Sequence, residues 1–101
     1  MPTLSDDNDQ PAFAATIASI LERYKAQAVE RYNAIRALTA ITLALAPEWF
    51  FERGDEARMD AWFGRQLDAH REGGVSASVE VIGLISAAAD GNRGEMDRRM
   101  R

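Results

Sequence analysis

Residues 11–47, PAFAATIASILERYKAQAVERYNAIRALTAITLALAP, contain the longest helical pattern of this chain. This stretch contains no glycine, and its only prolines are the first and last residues. Small and apolar side chains recur at alternating spacings of three and four, which is typical of one apolar face on a helix. The members of this stripe are Ala14, Ile17, Leu21, Tyr24, Ala28, Arg31, Ile35, Leu38, Thr42 and Leu45. The pattern predicts one long N-terminal helix between the two prolines.

The length of this helix has a consequence for assembly. A helix of ~36 residues is ~54 Å long, whereas a compact chain of 101 residues has a radius of gyration of about 13 Å. The helix must therefore break or pack against something beyond its own chain. Because no internal glycine or proline would cause a break, we favour a homodimer seam. In that seam Arg31 would meet an acid such as Glu30 and set the register, with Ile35 and Leu38 beside it.

Shorter helices follow the long one. Pro47 suits the first position of a helix over about 47–53. Further helices are predicted over about 55–72, which Gly73 ends, and over about 77–90. The predicted fold class is therefore all-α: one long N-terminal helix, then two or three shorter ones, in a helical bundle completed by dimerisation.

Each of the last two helices carries an apolar face that we expect to line the core. In the first, the face consists of Met59, Trp62, Phe63, Gln66, Leu67 and His70. In the second, it consists of Val75, Val79, Ile82, either Ile85 or Ser86, and Ala89. The acidic residues 1–10 and the residues 91–101 are predicted to be flexible tails. They leave residues 11–90 as a single helical domain.

Composition excludes several classes of protein. The chain has no cysteine and one histidine, which excludes a disulfide scaffold, a zinc ribbon, a cysteine nucleophile and a multi-histidine metal site. The net charge of −4 argues against broad binding to phosphate backbones. No basic start precedes an apolar run, and the longest apolar run, residues 37–46, is too short to span a membrane. We expect a soluble, cytoplasmic protein that is not an enzyme and uses no cofactor, metal or membrane.

An aromatic cluster points to binding as the function. Five of the eight aromatic residues lie within a stretch of 15, namely Trp49, Phe50, Phe51, Trp62 and Phe63. Three consecutive residues on a helix span about 200°, so one core cannot take all of residues 49–51. Aromatic side chains dominate interface energetics. We therefore predict a protein-interaction module, an adaptor, regulator or inhibitor, with these five residues and Ile35, Leu38 and Arg31 as the contacts. The alternative, in which two of the three aromatics fill the core and the third caps its edge, stays open.

Two other functions remain as alternatives. The first is a DNA-binding regulator with a degenerate helix-turn-helix over residues 66–85. Its basic residues would be Arg93, Arg98, Arg99 and Arg101, although its second helix offers mainly apolar side chains to the bases. The second is an acidic inhibitor from a mobile element that imitates nucleic acid. It would use Asp55, Glu56 and Asp60, whose simpler role is to complement a helix dipole.

Overall fold

The computed structural model describes the backbone of residues 2–50 and 55–100, and the side chains of residues 14–50 and 55–100. Within these ranges the chain is all-α, with six helices and no strand. The helices are α1 (Pro2–Lys25), α2 (Arg31–Leu45), α3 (Pro47–Phe50), α4 (Asp55–Arg71), α5 (Val75–Ala89) and α6 (Arg93–Arg99). The predicted fold class is confirmed, but the layout of the helices differs from the prediction.

A turn at residues 26–30 interrupts the predicted long helix. The N–H of Ala28 donates to the carbonyl of Arg23 at 2.8 Å, and the N–H of Gln27 donates to that of Tyr24 at 2.9 Å. Gln27 has a φ of 66°, and these two bonds around a left-handed residue form a Schellman motif, which ends a helix. Glycine usually occupies that position, so the sequence carried no visible signal for the turn. The expectation that the helix stays whole is therefore wrong, and its length no longer argues for a partner.

The two halves of the interrupted helix bury their stripes in one core. The buried members are Ile17, Leu21, Tyr24, Ile35, Leu38 and Thr42. Ala28 falls in the turn and is exposed. The stripe was thus correctly identified as an apolar face, but the later helices of the same chain cover it. The radius of gyration is 13.1 Å, which agrees with the ~13 Å of a compact chain of this length.

Helices α1, α2, α4 and α5 form an antiparallel bundle. Arg31 at the start of α2 binds Asp68 near the end of α4, with Nε and Oδ1 3.0 Å apart. Thr39 further along α2 donates to Asp60, which lies nearer the start of α4, at 2.6 Å. These contacts show that α2 and α4 run in opposite directions. The short turns after α1 and α4 reverse the chain in the same way, and α5 packs on α1, α2, α4 and α6.

The predicted helix starts and the predicted face of α4 are largely confirmed. Pro47 begins a new helix, and α4 and α5 lie close to their expected ranges. On α4 the buried members of the predicted face are Met59, Trp62, Phe63, Leu67 and His70, while Gln66 is half-buried. No helix formed by the described residues is both long and apolar enough to cross a membrane.

The C-terminal segment contains a packed helix where the sequence predicted a flexible tail over 91–101. The Oδ1 atom of Asn92 accepts from the backbone N–H of Glu95 at 3.0 Å, which caps the start of α6. Met96 and Met100 are buried. The signals that the sequence analysis missed are the Asn-x-x-Glu capping pattern and two methionines one turn apart.

Gly64 allows Arg31 to cross α4. A Cβ atom at residue 64 would lie 2.5 Å from Nη2 of Arg31, so an alanine would displace the guanidinium from Asp68. The Arg31 and Asp68 side chains are 51% and 56% exposed, and such an ion pair contributes about 0.2–1 kcal/mol. In the interior of a helix, alanine is more favourable than glycine by about 1 kcal/mol of folding free energy.

We therefore expect Gly64→Ala to leave the free energy of unfolding unchanged or raise it slightly. In an Arg31→Ala background, where no guanidinium is displaced, the same substitution should raise it by about 1 kcal/mol. Urea denaturation of the four proteins measures both effects. An equal loss of stability in the two backgrounds would mean that Gly64 is needed for backbone packing and not for Arg31.

Candidate protein-binding surface

Most residues predicted to bind a protein are core residues of the chain. Trp49, Trp62, Phe63, Ile35 and Leu38 are buried, Phe50 is half-buried against the same core, and Arg31 is exposed. Phe51 lies outside the described residues. In the single chain these buried side chains belong to the core and not to an exposed surface. Arg31 pairs with Asp68 of its own chain.

The additional helix α6 explains how adjacent aromatic residues are both buried. The rings of Trp62 and Phe63 meet edge-on, with centroids 5.5 Å apart, and the indole N–H of Trp62 donates to the carbonyl of Arg99 on α6 at 3.2 Å. Trp49 packs edge-on against Phe50 at 5.3 Å. The prediction gave these aromatic residues only one core-facing side, because α6 was not among the predicted helices.

The exposed apolar surface lies on α5. We call Val75, Val79, Ile82, Ser86 and Ala89 the α5 outer face. Val75 is 76% and Val79 59% exposed, Ile82 and Ser86 are half-buried, and Ala89 is exposed. The prediction that this face lines the core is therefore wrong for Val75, Val79 and Ala89 and confirmed for Ile85. The buried residues of α5 are Ala77, Val81, Leu84, Ile85, Ala87 and Ala88. Because α5 is apolar around most of its circumference, the spacing of its apolar residues does not indicate which side is buried.

The α5 outer face carries no charge. Glu80 is the one charged residue in α5; it lies off this face and binds Arg99, with Oε1 and Nη1 3.2 Å apart. Exposed apolar residues on α2 are different, because Arg36 shares the face of Tyr32 and Leu43. Monomeric proteins seldom expose contiguous apolar patches larger than about a few hundred Å², and larger patches mark binding surfaces.

The basic residues near the C-terminus have acidic partners. Nη2 of Arg93 lies 3.7 Å from Oδ2 of Asp55, Arg98 pairs with Glu95, and Arg99 pairs with Glu80. Arg101 lies outside the described residues. A nucleic-acid surface needs a positive face that is not neutralised, and the outer side of α5 would present valines to the bases. The geometry thus does not favour the DNA-binding alternative.

The predicted acidic cluster is also engaged within the chain. Asp55 is buried, and its Oδ1 accepts from Nη1 of Arg58 at 3.3 Å. Asp60 accepts from Thr39 and lies 3.7 Å from Nη1 of Arg36. Of the predicted trio, only Glu56 is exposed. These carboxylates do not form an array that imitates phosphates.

His70 has a serine neighbour that sequence reasoning could not place. Its ring is buried, and Nδ1 lies 2.5 Å from Oγ of Ser78, a hydrogen bond between α4 and α5. Nε2 has no hydrogen-bond partner among the described residues, so the pair lacks the third, orienting member of a hydrolytic triad. Among the described residues, no three acidic or histidine side chains lie close enough together to hold a metal ion.

No protein-family model, curated protein or solved structure matches the chain. Function therefore has to be inferred from the surface of the molecule itself. Of the surfaces that the described residues form, the α5 outer face gives the clearest indication of its partner. An uncharged apolar helix face can pack against another apolar helix face.

Proposed function

We propose that this chain is a small protein-interaction module, an adaptor, regulator or inhibitor, whose binding surface is the α5 outer face. The observation that carries the proposal is the exposure of Val75 and Val79, 76% and 59%, on the uncharged side of an apolar helix. Its mechanism is steric or conformational and involves no covalent chemistry. The cytoplasmic location predicted from the sequence is part of the same proposal.

The occupant that we propose first is a second copy of the chain. Two α5 outer faces can pack antiparallel about a twofold axis, so that each face meets itself. The spacing of three and four along the face suits interdigitation of helix side chains. Because the face is uncharged, no like charges meet across the axis.

The size of the face sets the expected strength of the dimer. A helix of 15 residues is about 22 Å long. One such pair buries less than the ~800 Å² per partner of a standard interface. We therefore expect a dimer that dissociates in roughly the micromolar range or above.

The double variant Val75→Glu/Val79→Glu tests the surface. Burial of a valine contributes about 1.5–3 kcal/mol, so the variant should weaken the dimer at least about a hundredfold. Glutamate in the first turns of a helix complements the helix dipole, so the fold should be retained. The matched control is Ala57→Glu/Ala61→Glu, which adds two charges at the same spacing to exposed positions of α4.

Light scattering after size exclusion, over a series of concentrations up to millimolar, gives the mass of each protein. A dimer that is lost in the α5 variant and kept in the control supports the proposal. A dimer that both variants keep assigns self-association to another surface. A chain that is monomeric throughout rejects the second copy as occupant.

A photo-crosslinking residue then tests for a different protein partner. It is placed at Val79 in cells that make the protein, with the same residue at exposed Ala61 as the control. A defined adduct from position 79 alone supports a foreign partner on the α5 outer face. Equal labelling from both positions, or no labelling, rejects protein binding through this face.

A further inference from the structure

A half-open pocket of about 170 Å³ lies where the end of α2, α3 and α6 meet. Its apolar walls include Leu45, Pro47, Trp49 and Met96, and its charged lining residues are Glu48 and Arg93. An enclosed apolar space of about 150 Å³ accommodates benzene. The pocket therefore has room for one ring or a short branched chain.

Trp49, which lines this pocket, has a buried hydrogen-bond donor without a partner. Trp49 is 2% exposed, and its indole N–H has no partner among the described residues. The other tryptophan differs, because the N–H of Trp62 donates to the carbonyl of Arg99 at 3.2 Å. Buried tryptophan N–H groups usually find a partner. An unpaired one therefore suggests that an acceptor is supplied from outside the chain.

Two arginines, each ion-paired with an aspartate, lie against the same indole ring. The guanidinium carbons of Arg58 and Arg93 lie 5.8 Å and 5.9 Å from its centroid, close enough for cation–π attraction. Asp55 and Asp97 pair with these arginines but do not line the pocket, whereas Arg93 does. The pocket thus combines an apolar interior, a lining tryptophan whose N–H is unpaired, and a lining arginine that is ion-paired with Asp55.

We propose that this pocket binds a small carboxylic acid with an aromatic or branched apolar body. The body packs against Leu45, Pro47 and Met96, and the carboxylate accepts from the indole N–H of Trp49 near Arg93. Glu48, which also lines the pocket and is exposed, carries the same negative charge as this ligand and opposes its binding. The site is separate from the α5 outer face and does not depend on the function proposed for that face.

Three probes of nearly equal shape test the class of ligand: benzoate, benzamide and benzylamine. Protein labelled with ¹⁵N shows one indole N–H signal for each tryptophan, and Trp62→Phe assigns the two signals. Benzoate should shift the Trp49 signal saturably and leave the Trp62 signal in place. Benzamide keeps an acceptor without the charge and should bind more weakly. Benzylamine should give no saturable shift.

Variants separate the pocket from the rest of the surface. A charge-assisted hydrogen bond contributes about 1.5–3 kcal/mol, so Arg93→Gln should weaken benzoate binding about tenfold or more. The control Arg65→Gln removes an exposed arginine from the far half of α4 and should leave binding unchanged. Circular dichroism verifies that both variants are folded.

Three results with the unaltered chain would overturn the proposal. The first is the absence of a saturable shift with any probe. The second is benzamide or benzylamine binding as tightly as benzoate, which would show that the negative charge is not recognised. The third is an equal response of both indole signals, which would indicate non-specific contact. None of these results depends on whether the arginine variants fold.

Discussion

Phe63→Ala is expected to lower the free energy of unfolding by about 3–5 kcal/mol, the range for truncation of a buried aromatic side chain. The ring of Phe63 is fully buried and lies against Trp62. Its removal loses the transfer free energy of the ring and leaves a cavity that α4 and its neighbours fill only in part. Urea denaturation followed by circular dichroism, at two protein concentrations, measures the loss.

The control for this substitution is Arg65→Ala, two residues further on and exposed. It should change the stability by less than about 0.5 kcal/mol. The comparison separates a core residue from an interface residue, since a core residue stabilises the monomer and its loss is independent of concentration. A small loss that grows on dilution would instead place Phe63 between two chains.

Gln27→Ile is expected to lower the free energy of unfolding by about 1–3 kcal/mol, because a β-branched residue resists the left-handed region that Gln27 occupies at φ 66°. The same substitution favours continuation of α1 into α2. Two chains with a continuous helix can exchange these elements and form a swapped dimer. Light scattering should therefore show a dimeric fraction, and X-ray scattering should show that this fraction is elongated.

Gln27→Gly is the matched control. Glycine adopts the left-handed region without steric cost, although it raises the entropy of the unfolded chain. Its stability should lie within about 1 kcal/mol of the unaltered chain, and no swapped dimer should form. If the isoleucine and glycine variants have the same stability and mass, residue 27 does not determine the break between α1 and α2.

Local signals allowed the sequence to predict the all-α class and most helix positions. Pro47 and Gly73 mark a start and an end through properties of their own backbones. The inward face of α4 could be predicted because polar residues occupy its other side, and only one side of the helix is therefore apolar. These features depend on residues close together in the chain.

The features that could not be predicted depend on tertiary structure. The Schellman motif at Gln27 uses a residue type that rarely adopts a left-handed conformation, and the fold-back it allows buries both stripes. The choice of the inward face of α5 depends on which helices surround it. The burial of Trp62 depends on α6, whose carbonyl at Arg99 accepts its N–H. Most of the predicted interface residues are therefore buried in the core of the chain itself.

The order of the helices in the bundle has a consequence for how quickly the chain folds. Helices that follow one another in the sequence, α1 with α2 and α4 with α5, are also packed together in space. Chains dominated by such local contacts fold in microseconds to milliseconds, because little loop entropy is lost before contacts form. Each pair of helices can assemble as soon as its own turn has formed.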